Sequence, residues 1–456
     1  MLDRLLEALQ RSRADFAEIR YERAWITTVT WRERRLESAT EAVDAGGIVR
    51  CLQQGRGWGA ASVSDGDDVA ARLSIAHELA LATRPEAPVA LAPVPVREGH
   101  DAPDLGGDVR AVPLPEKRRL VEALNGEMLA FDRRIVDTRL AYRDVVAEHW
   151  YVNSEGTRMH GVRPDVQLAA LAVARDGGTV ERALASFGGR AGWLAAQGHE
   201  ERFRSAARQA VSLLGAQPVR SGTYPVLLDP RLAAALAHEA VGHLCEADAA
   251  AEPGGQLAPL GARLGSPLVT IGDDGSVPGL RGTRPFDDEG TPTGNTLLLQ
   301  NGVVVGHLHT RETAARDRAR PTGSARAPSW RHAPLARLSN VYVANGSGSR
   351  ADLLRDVRLG VYACDVIDSR RDGDRITFTA GHAYMIRDGE LAELVKHVVI
   401  AGRVSDLLGA VDRVAGDFRW HDDGGGCTRR GQGPVAVADG APHVRLERAE
   451  IRGVAP

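Results

Sequence analysis

The sequence predicts an α+β protein with three parts: an N-terminal α/β sheet region, a middle region rich in β-hairpins, and a large, mostly antiparallel β domain built around one buried helix. Three observations predict it. From Ala17 to Thr40, β-branched and aromatic residues alternate closely with Arg and Glu, the pattern of long, half-exposed strands. Turn sequences such as DDGS, DDEG, LQNG, RRDGD and RDGE punctuate the last half at strand spacing, without a fixed repeat. One stretch after Asp229 is apolar nearly all round, as a helix inside a domain would be.

The elements follow in order. MLDRLLEALQRSRADFAE reads as an amphipathic helix, 17–40 as paired strands, and GGIVRCLQQGRGWGAASVS as a Gly-punctuated strand pair. DVAARLSIAHELALAT has helical periodicity, with Val69, Leu73, Ile75, Ala76 and Leu79 on one broad face. Residues 84–107 are rich in Pro, Gly and Ala and read as a linker. LPEKRRLVEALNGEMLAFD is a helix, and Ile135 to Ser186 are strands at hairpin spacing, turning at Asn153-Ser154-Glu155-Gly156 and Asp176-Gly177-Gly178. Further helices are expected near 198–215 and 403–414. The expected domains are 1–90, 108–220 and 222–456, and 456 residues suffice for cores of that number.

Composition narrows the function classes. Net charge is −3, so there is no broad basic field for nucleic acid. Lysine occurs only at Lys117 and Lys396; nearly all positive charge is Arg. The four cysteines, Cys51, Cys245, Cys364 and Cys427, form no CxxC pair, which argues against a disulfide framework and for a reducing, cytoplasmic setting. The N-terminus lacks the apolar core of a secretory signal. No stretch approaches the roughly 18 uninterrupted apolar residues of a membrane span.

The chemistry concentrates in YPVLLDPRLAAALAHEAVGHLCEAD, residues 224–248. Asp229 is a good N-cap and Pro230 suits the first helical position. The apolar helix then carries His238, Glu239 and His243, three ionisable groups whose burial is costly unless they are paired; a metal ion would do this, and satisfied core histidines are the alternative. The spacing is HExxxH, one residue longer than the HExxH of many zinc proteases. On a regular helix the two histidines would sit about 140° apart. They converge only if the helix widens into a π-bulge or ends at His243, and Gly242 eases such a distortion.

Catalytic zinc takes three protein ligands and a water. Cys427, in HDDGGGCTRRGQGP, is the first choice for the third: a thiolate is a strong zinc ligand, and three glycines let the chain approach a crowded centre. Cys245 ranks second, since a continuing helix would turn it away from His243. His307 and His309, at strand spacing, are a weaker alternative. Glu239 is expected to act as general base toward a zinc-bound water and then as acid toward the leaving amine. Glu246 would orient a ligand imidazole or cap the helix.

At this point the sequence resembles the TldD/PmbA family of zinc metallopeptidases, on the HExxxH-bearing, TldD-like side. The likeness rests on HEAVGHLCEAD, on the DDG, DDEG and NG succession in 266–302, on RPTGSARAPSWRHAPLARLSNVYV at 320–343, on GGGCTRRGQGPVAV near the C-terminus and, less specifically, on the N-terminal pattern. It implies zinc held by His238, His243 and Cys427, with Glu239 as the acid–base group. It also implies a peptide substrate, small or unfolded, bound by strand-like pairing in a cavity shared with a paralogous TldE/PmbA-like subunit, or with a second copy in a homodimer. His332, Arg337 and Asn340 lie in matching segments as possible site-wall residues. Asp287 and Asp288 do too, although a tight turn before Gly290 explains them equally well. The chain departs from the family pattern in CTRRGQ and in the extra thiol of LCEAD. Two other readings stay open: a zinc-dependent amide hydrolase acting on a peptide-derived biosynthetic intermediate, and a non-catalytic partner subunit.

Overall fold

The computed structural model describes residues 1–103, 106–251 and 255–453. The linker residues Asp104 and Leu105 and the terminal 454–456 of the last expected domain lie outside the described residues. The fold is mixed α+β with predominantly antiparallel sheets.

The N-terminal half forms one seven-stranded sheet from β1 (Phe16–Arg32), β2 (Arg35–Leu52), β3 (Trp58–Ser64), β4 (Glu98–Asp101), β5 (Ile135–Asn153), β6 (Arg158–Asp176) and β7 (Thr179–Gly189). Its order is β3-β2-β1-β5-β6-β4, with β7 also on β6. β1 and β5 pair from Glu18↔Asn153 to Arg32↔Arg139, so the segments before and after the linker share one sheet. The opening helix is Leu2–Leu9, shorter than the amphipathic pattern suggested, because Phe16 already enters β1. Helices Val69–Ala82, Leu114–Leu129 and Glu200–Leu214 form where periodicity predicts them.

Alternation sorts the two faces of the sheet. Ile19, Tyr21 and Val152 pack under the Leu2–Leu9 and Val69–Ala82 helices. Leu140, Tyr142 and Val146 pack under Leu114–Leu129 and Glu200–Leu214. The other face meets the C-terminal half. Both lysines are structural: Lys117 pairs with Asp144 and Lys396 with Glu181, each at 2.6 Å and each buried.

The C-terminal half contains a closed ring of strands. Leu359–Asp372 pairs in parallel with Gly222–Leu228, which pairs with Val444–Gly453, then Val398–Arg403, then Arg375–Arg387, which returns to Leu359–Asp372. The helix expected near 403–414 is only Val404–Gly409; Val411–Val414 is a strand that adds to the ring. A six-stranded sheet lies alongside, with Asn340–Val343 and Ala438–Ala441 paired in parallel near its centre. The helix Pro230–Ala237 packs between Leu359–Asp372 and these two strands. That position carries the next residues, 238–246, into the interior.

Candidate metal centre

Asp229 caps the helix, its carboxylate accepting from the Leu232 amide at 2.8 Å. Burial and the nearby Asp365 raise the Asp229 carboxyl to about 6. After Ala237 the regular helix stops. His238–Gly242 form a π-type turn, closed by the His243 amide donating to the His238 carbonyl, and His243–Cys245 tighten into a 3₁₀ turn. The wide turn brings His243, five positions on, back over His238. The imidazole centroids are 5.0 Å apart at 77°. Gly242 is right-handed here, so φ freedom is not its purpose. A Cβ at Gly242 would lie 2.8 Å from the buried Leu338 side chain, so packing requires the glycine.

Each imidazole is held by its Nδ1. His238 Nδ1 is 2.9 Å from Asp439 Oδ1, and His243 Nδ1 is 2.9 Å from Glu246 Oε2. Cys427 approaches from the far end of the chain, its Sγ 3.6 Å from His243 Nε2. The ligand atoms of His238, His243 and Cys427 all lie within 4.8 Å of one another. Tetrahedral zinc, with Zn–S about 2.3 Å and Zn–N about 2.0–2.1 Å, requires an S···N separation of about 3.6 Å. The donor set and its spacing therefore fit zinc, with each imidazole steadied by a carboxylate, as metal-ligating histidines commonly are.

The electrostatics suit a thiolate. Burial pushes the Cys427 thiol up, but His238 and His243 outweigh it and bring it down to about 6. Burial lowers His243 while Glu246 and Cys427 raise it, leaving it at about 9. Burial also works against the charge on Glu246, but His243, Arg429 and Arg337 hold it below its ordinary value.

Glu239 stands outside the His238, His243 and Cys427 group. It lines a 220 Å³ cleft with His238, Asp439 and Ser369, whose hydroxyl donates to Glu239 Oε1 at 2.9 Å. One cleft thus carries both the Glu239 carboxylate and His238 of the three-residue group.

Comparison with known proteins agrees with this geometry. Family sequence models described as PmbA/TldA metallopeptidase domain 1, central domain and C-terminal domain match residues 17–80, 107–214 and 221–453. A metalloprotease of Synechocystis sp. is 35% identical over 446 residues, covering 97% of this chain and 96% of that protein. The chain belongs to the PmbA/TldD metallopeptidase family. A protein named zinc metalloprotease TldD homolog, from Saccharolobus solfataricus, is 25% identical over 96% of this chain and 97% of its own length. The crystal structure of TldE from Thermococcus kodakarensis superposes with a TM-score of 0.77, covering 99% of each chain at 18% identity, and shares the fold.

The remaining expected residues of this family member fall elsewhere. Cys245 packs in the core outside the His238, His243 and Cys427 group, its thiol pushed up to about 12 by burial. His307 and His309 lie on irregular chain rather than a strand; His307 bonds the Ala258 carbonyl and His309 the Thr313 hydroxyl. Arg337 is fully buried and donates to the Cys427 carbonyl, so it fixes the ligand loop from behind. Asn340 ties down the 274–283 segment through Gly282, Asp274 and Thr283. His332 lies in a turn, its carbonyl bonded by Arg20. Asp287 accepts from the amides of Glu289, Thr291 and Ala325, which is the tight-turn role. Asp288 gathers Arg163 at 2.8 Å, Arg284 at 3.1 Å and Arg20 at 3.6 Å.

Sequence reasoning missed Asp439, Ser369 and the two arginines around the ligand loop, Arg281 and Arg429. Arg281 bonds the Asp423 and Gly425 carbonyls while paired with Asp165 of β6. Arg429 reaches Glu246 at 3.3 Å. The ADG run around Asp439 reads as a turn, and no spacing rule links it to His238.

Proposed function

We propose that this chain is a zinc-dependent peptidase in which His238, His243 and Cys427 hold the metal and Glu239 moves the proton. The observation that carries the reading is the convergence of two imidazole Nε2 atoms and one thiol at zinc spacing, beside a glutamate open to a cleft. Zinc bound there would supply Lewis acidity, making a water more acidic and polarising a scissile carbonyl. Glu239, steadied by Ser369, takes the proton of the attacking water and returns it to the leaving amine. Asp439 and Glu246 keep both imidazoles in the tautomer that presents Nε2.

The substrate is a small or unfolded peptide, in line with an open cleft rather than a deep specificity pocket. The expected assembly is a dimer with a TldE-like paralogue or with itself, and the expected location is the cytoplasm. Among the described residues no helix is long and apolar enough to cross a membrane. The division into 1–90, 108–220 and 222–456 is offered as the functional division, with the metal chemistry in the last part.

Purified protein should contain zinc near one equivalent per chain. Glu239→Ala should retain that zinc and lose peptide hydrolysis by about 10²–10⁴-fold. Cys427→Ala should lose zinc and Cys245→Ala should keep it. Full activity in Glu239→Ala, or zinc lost from the Cys245 variant instead, contradicts the assignment.

A further inference from the structure

A second cavity, of 480 Å³, lies on the other side of the ligand loop. Its floor is the face of the N-terminal sheet that meets the C-terminal half. By register, Ala24 stands opposite Ala147, which stands opposite Arg163; Ile26 stands opposite Val145, which stands opposite Asp165. The middle of the floor is thus apolar. The C-terminal half supplies the opposite wall through Arg281, Arg284, Pro328 and Val435.

The walls carry an excess of positive charge. Arg143, Arg163, Arg190, Arg281 and Arg284 line the cavity against three carboxylates, Glu22, Asp44 and Asp165. Asp44 is engaged by Arg331 and Asp165 by Arg281. Asp288 behind the wall is shared among three arginines. The Arg143 side chain, exposed at the edge of the basin, makes no hydrogen bond or ion pair among the described residues, and Arg163 Nε is buried without a partner. Burial, with Arg163 and Arg326 close by, drives the Arg284 guanidinium well below its ordinary value; burial lowers Arg190 as well. Burial also raises the Glu22 carboxyl, which weakens the one negative group left in the basin. Under-compensated guanidinium groups around an apolar floor make a receptor for an anion with a short apolar body.

Its position ties it to the cleft. Arg281 borders both cavities. Gly424 and Gly426 line the cleft, and Gly425 between them lines the basin. Val435, on the basin wall, is the strand partner of Cys427, about 5 Å away across one pair. A peptide advances about 3.3 Å per extended residue, so a chain reaching the cleft can place a group one to three residues away in the basin.

We propose that this arginine-walled basin binds a carboxylate of the peptide substrate, carried on its C-terminus or on an acidic side chain close to the cut. The inference rests on the peptidase reading for its substrate, but its test is a binding measurement that needs no turnover. Zinc-loaded Glu239→Gln protein is titrated with a fluorescent acidic tetrapeptide, with its C-terminal amide, and with its Glu-to-Gln counterpart. The original peptide should bind at least about tenfold tighter than one of the neutralised forms, and the form that weakens identifies which carboxylate is held. The preference should shrink with added salt and collapse in Arg143→Ala and Arg190→Gln, with Arg143→Lys restoring part of it. Equal affinity for all three peptides, no binding of any, or a preference untouched by both arginine variants overturns the proposal. Hydrolysis of the same peptides by the wild-type protein reports separately on the peptidase reading: selective binding without any cleavage would sink that reading and leave the basin standing.

Discussion

His243 Nδ1 lies 2.9 Å from a carboxylate oxygen of Glu246, a side chain with no exposure to solvent. They stand three positions apart in the chain, and the 3₁₀ turn at His243–Cys245 makes the reach possible. The carboxylate fixes which ring nitrogen faces Cys427 and makes it more basic. Glu246→Gln should therefore weaken zinc affinity by about 10–100-fold, measured by competition with a chromogenic chelator. Unchanged affinity would mean that the ring is oriented by packing alone.

Ser369 is the only described hydrogen-bond donor to Glu239. Ser369→Ala should leave zinc content intact and lower kcat, by less than Glu239→Ala does, because the carboxylate loses the hydroxyl that orients it. An unchanged kcat would reduce Ser369 to a spacer.

Zinc affinity should depend on pH with a definite sign. In the metal-free centre His243 titrates near 9 and Cys427 near 6. Coordination needs a neutral imidazole and a thiolate. Between pH 6 and 9 the ion must displace a proton from His243 and one from His238, which burial lowers but Asp439 and Cys427 raise well above the ordinary imidazole value, so affinity rises with pH across that range. Below 6 the thiol proton must also leave and the dependence steepens. Zinc titrations across that range, in buffers of differing ionisation enthalpy, should register at least one proton released per ion at pH 7.5. None released would contradict the raised imidazole.

Asp288 is buried beneath Arg20, Arg163 and Arg284. Burial opposes its charge, yet Arg163, Arg284 and Arg20 hold the carboxyl well below its ordinary range. Its contribution is complete above the usual carboxylate pKa and is lost as pH falls through the depressed one. Asp288→Asn leaves three buried cations without their anion and should destabilise the protein by about 3–5 kcal/mol in urea unfolding, with zinc content of the folded fraction unchanged. Loss of activity without loss of stability would return Asp288 to the active site.

Gly242→Ala pushes a methyl group into Leu338 and should cost about 1–3 kcal/mol, with zinc affinity reduced because the π-type turn must shift. A Gly242→Ala, Leu338→Ala double variant should recover part of the affinity. No recovery would point to backbone strain instead of the clash.

Much of the site was legible because its signals are local or chemically rare. Two histidines five apart on an apolar helix demand an irregular turn, and the π-type turn at His238–Gly242 is that irregularity. Cys427 announced itself by sitting among glycines; in the fold, Gly425 has φ +98 and a Cβ at Gly426 would lie 2.5 Å from the Val435 carbonyl. The role of Gly242 was misread, since a packing constraint from Leu338 leaves no trace at i±4. Asp439 and Arg337 were opaque in their roles for a related reason: they meet the centre through pairings of distant strands. The joining of β1 to β5 across more than a hundred residues is invisible for the same cause, because alternation marks a strand but not its neighbour.

The ring of strands has a consequence for how this protein comes into being. Gly222–Leu228, which launches the helix bearing both histidines, is flanked on one side by Leu359–Asp372 and on the other by Val444–Gly453. That seam closes only once strands made more than a hundred residues later are available, and the two histidines wait for a thiol from the same late part of the chain. Pairings of such high sequence separation make closure of the ring a late folding event, and the centre it carries takes shape with it.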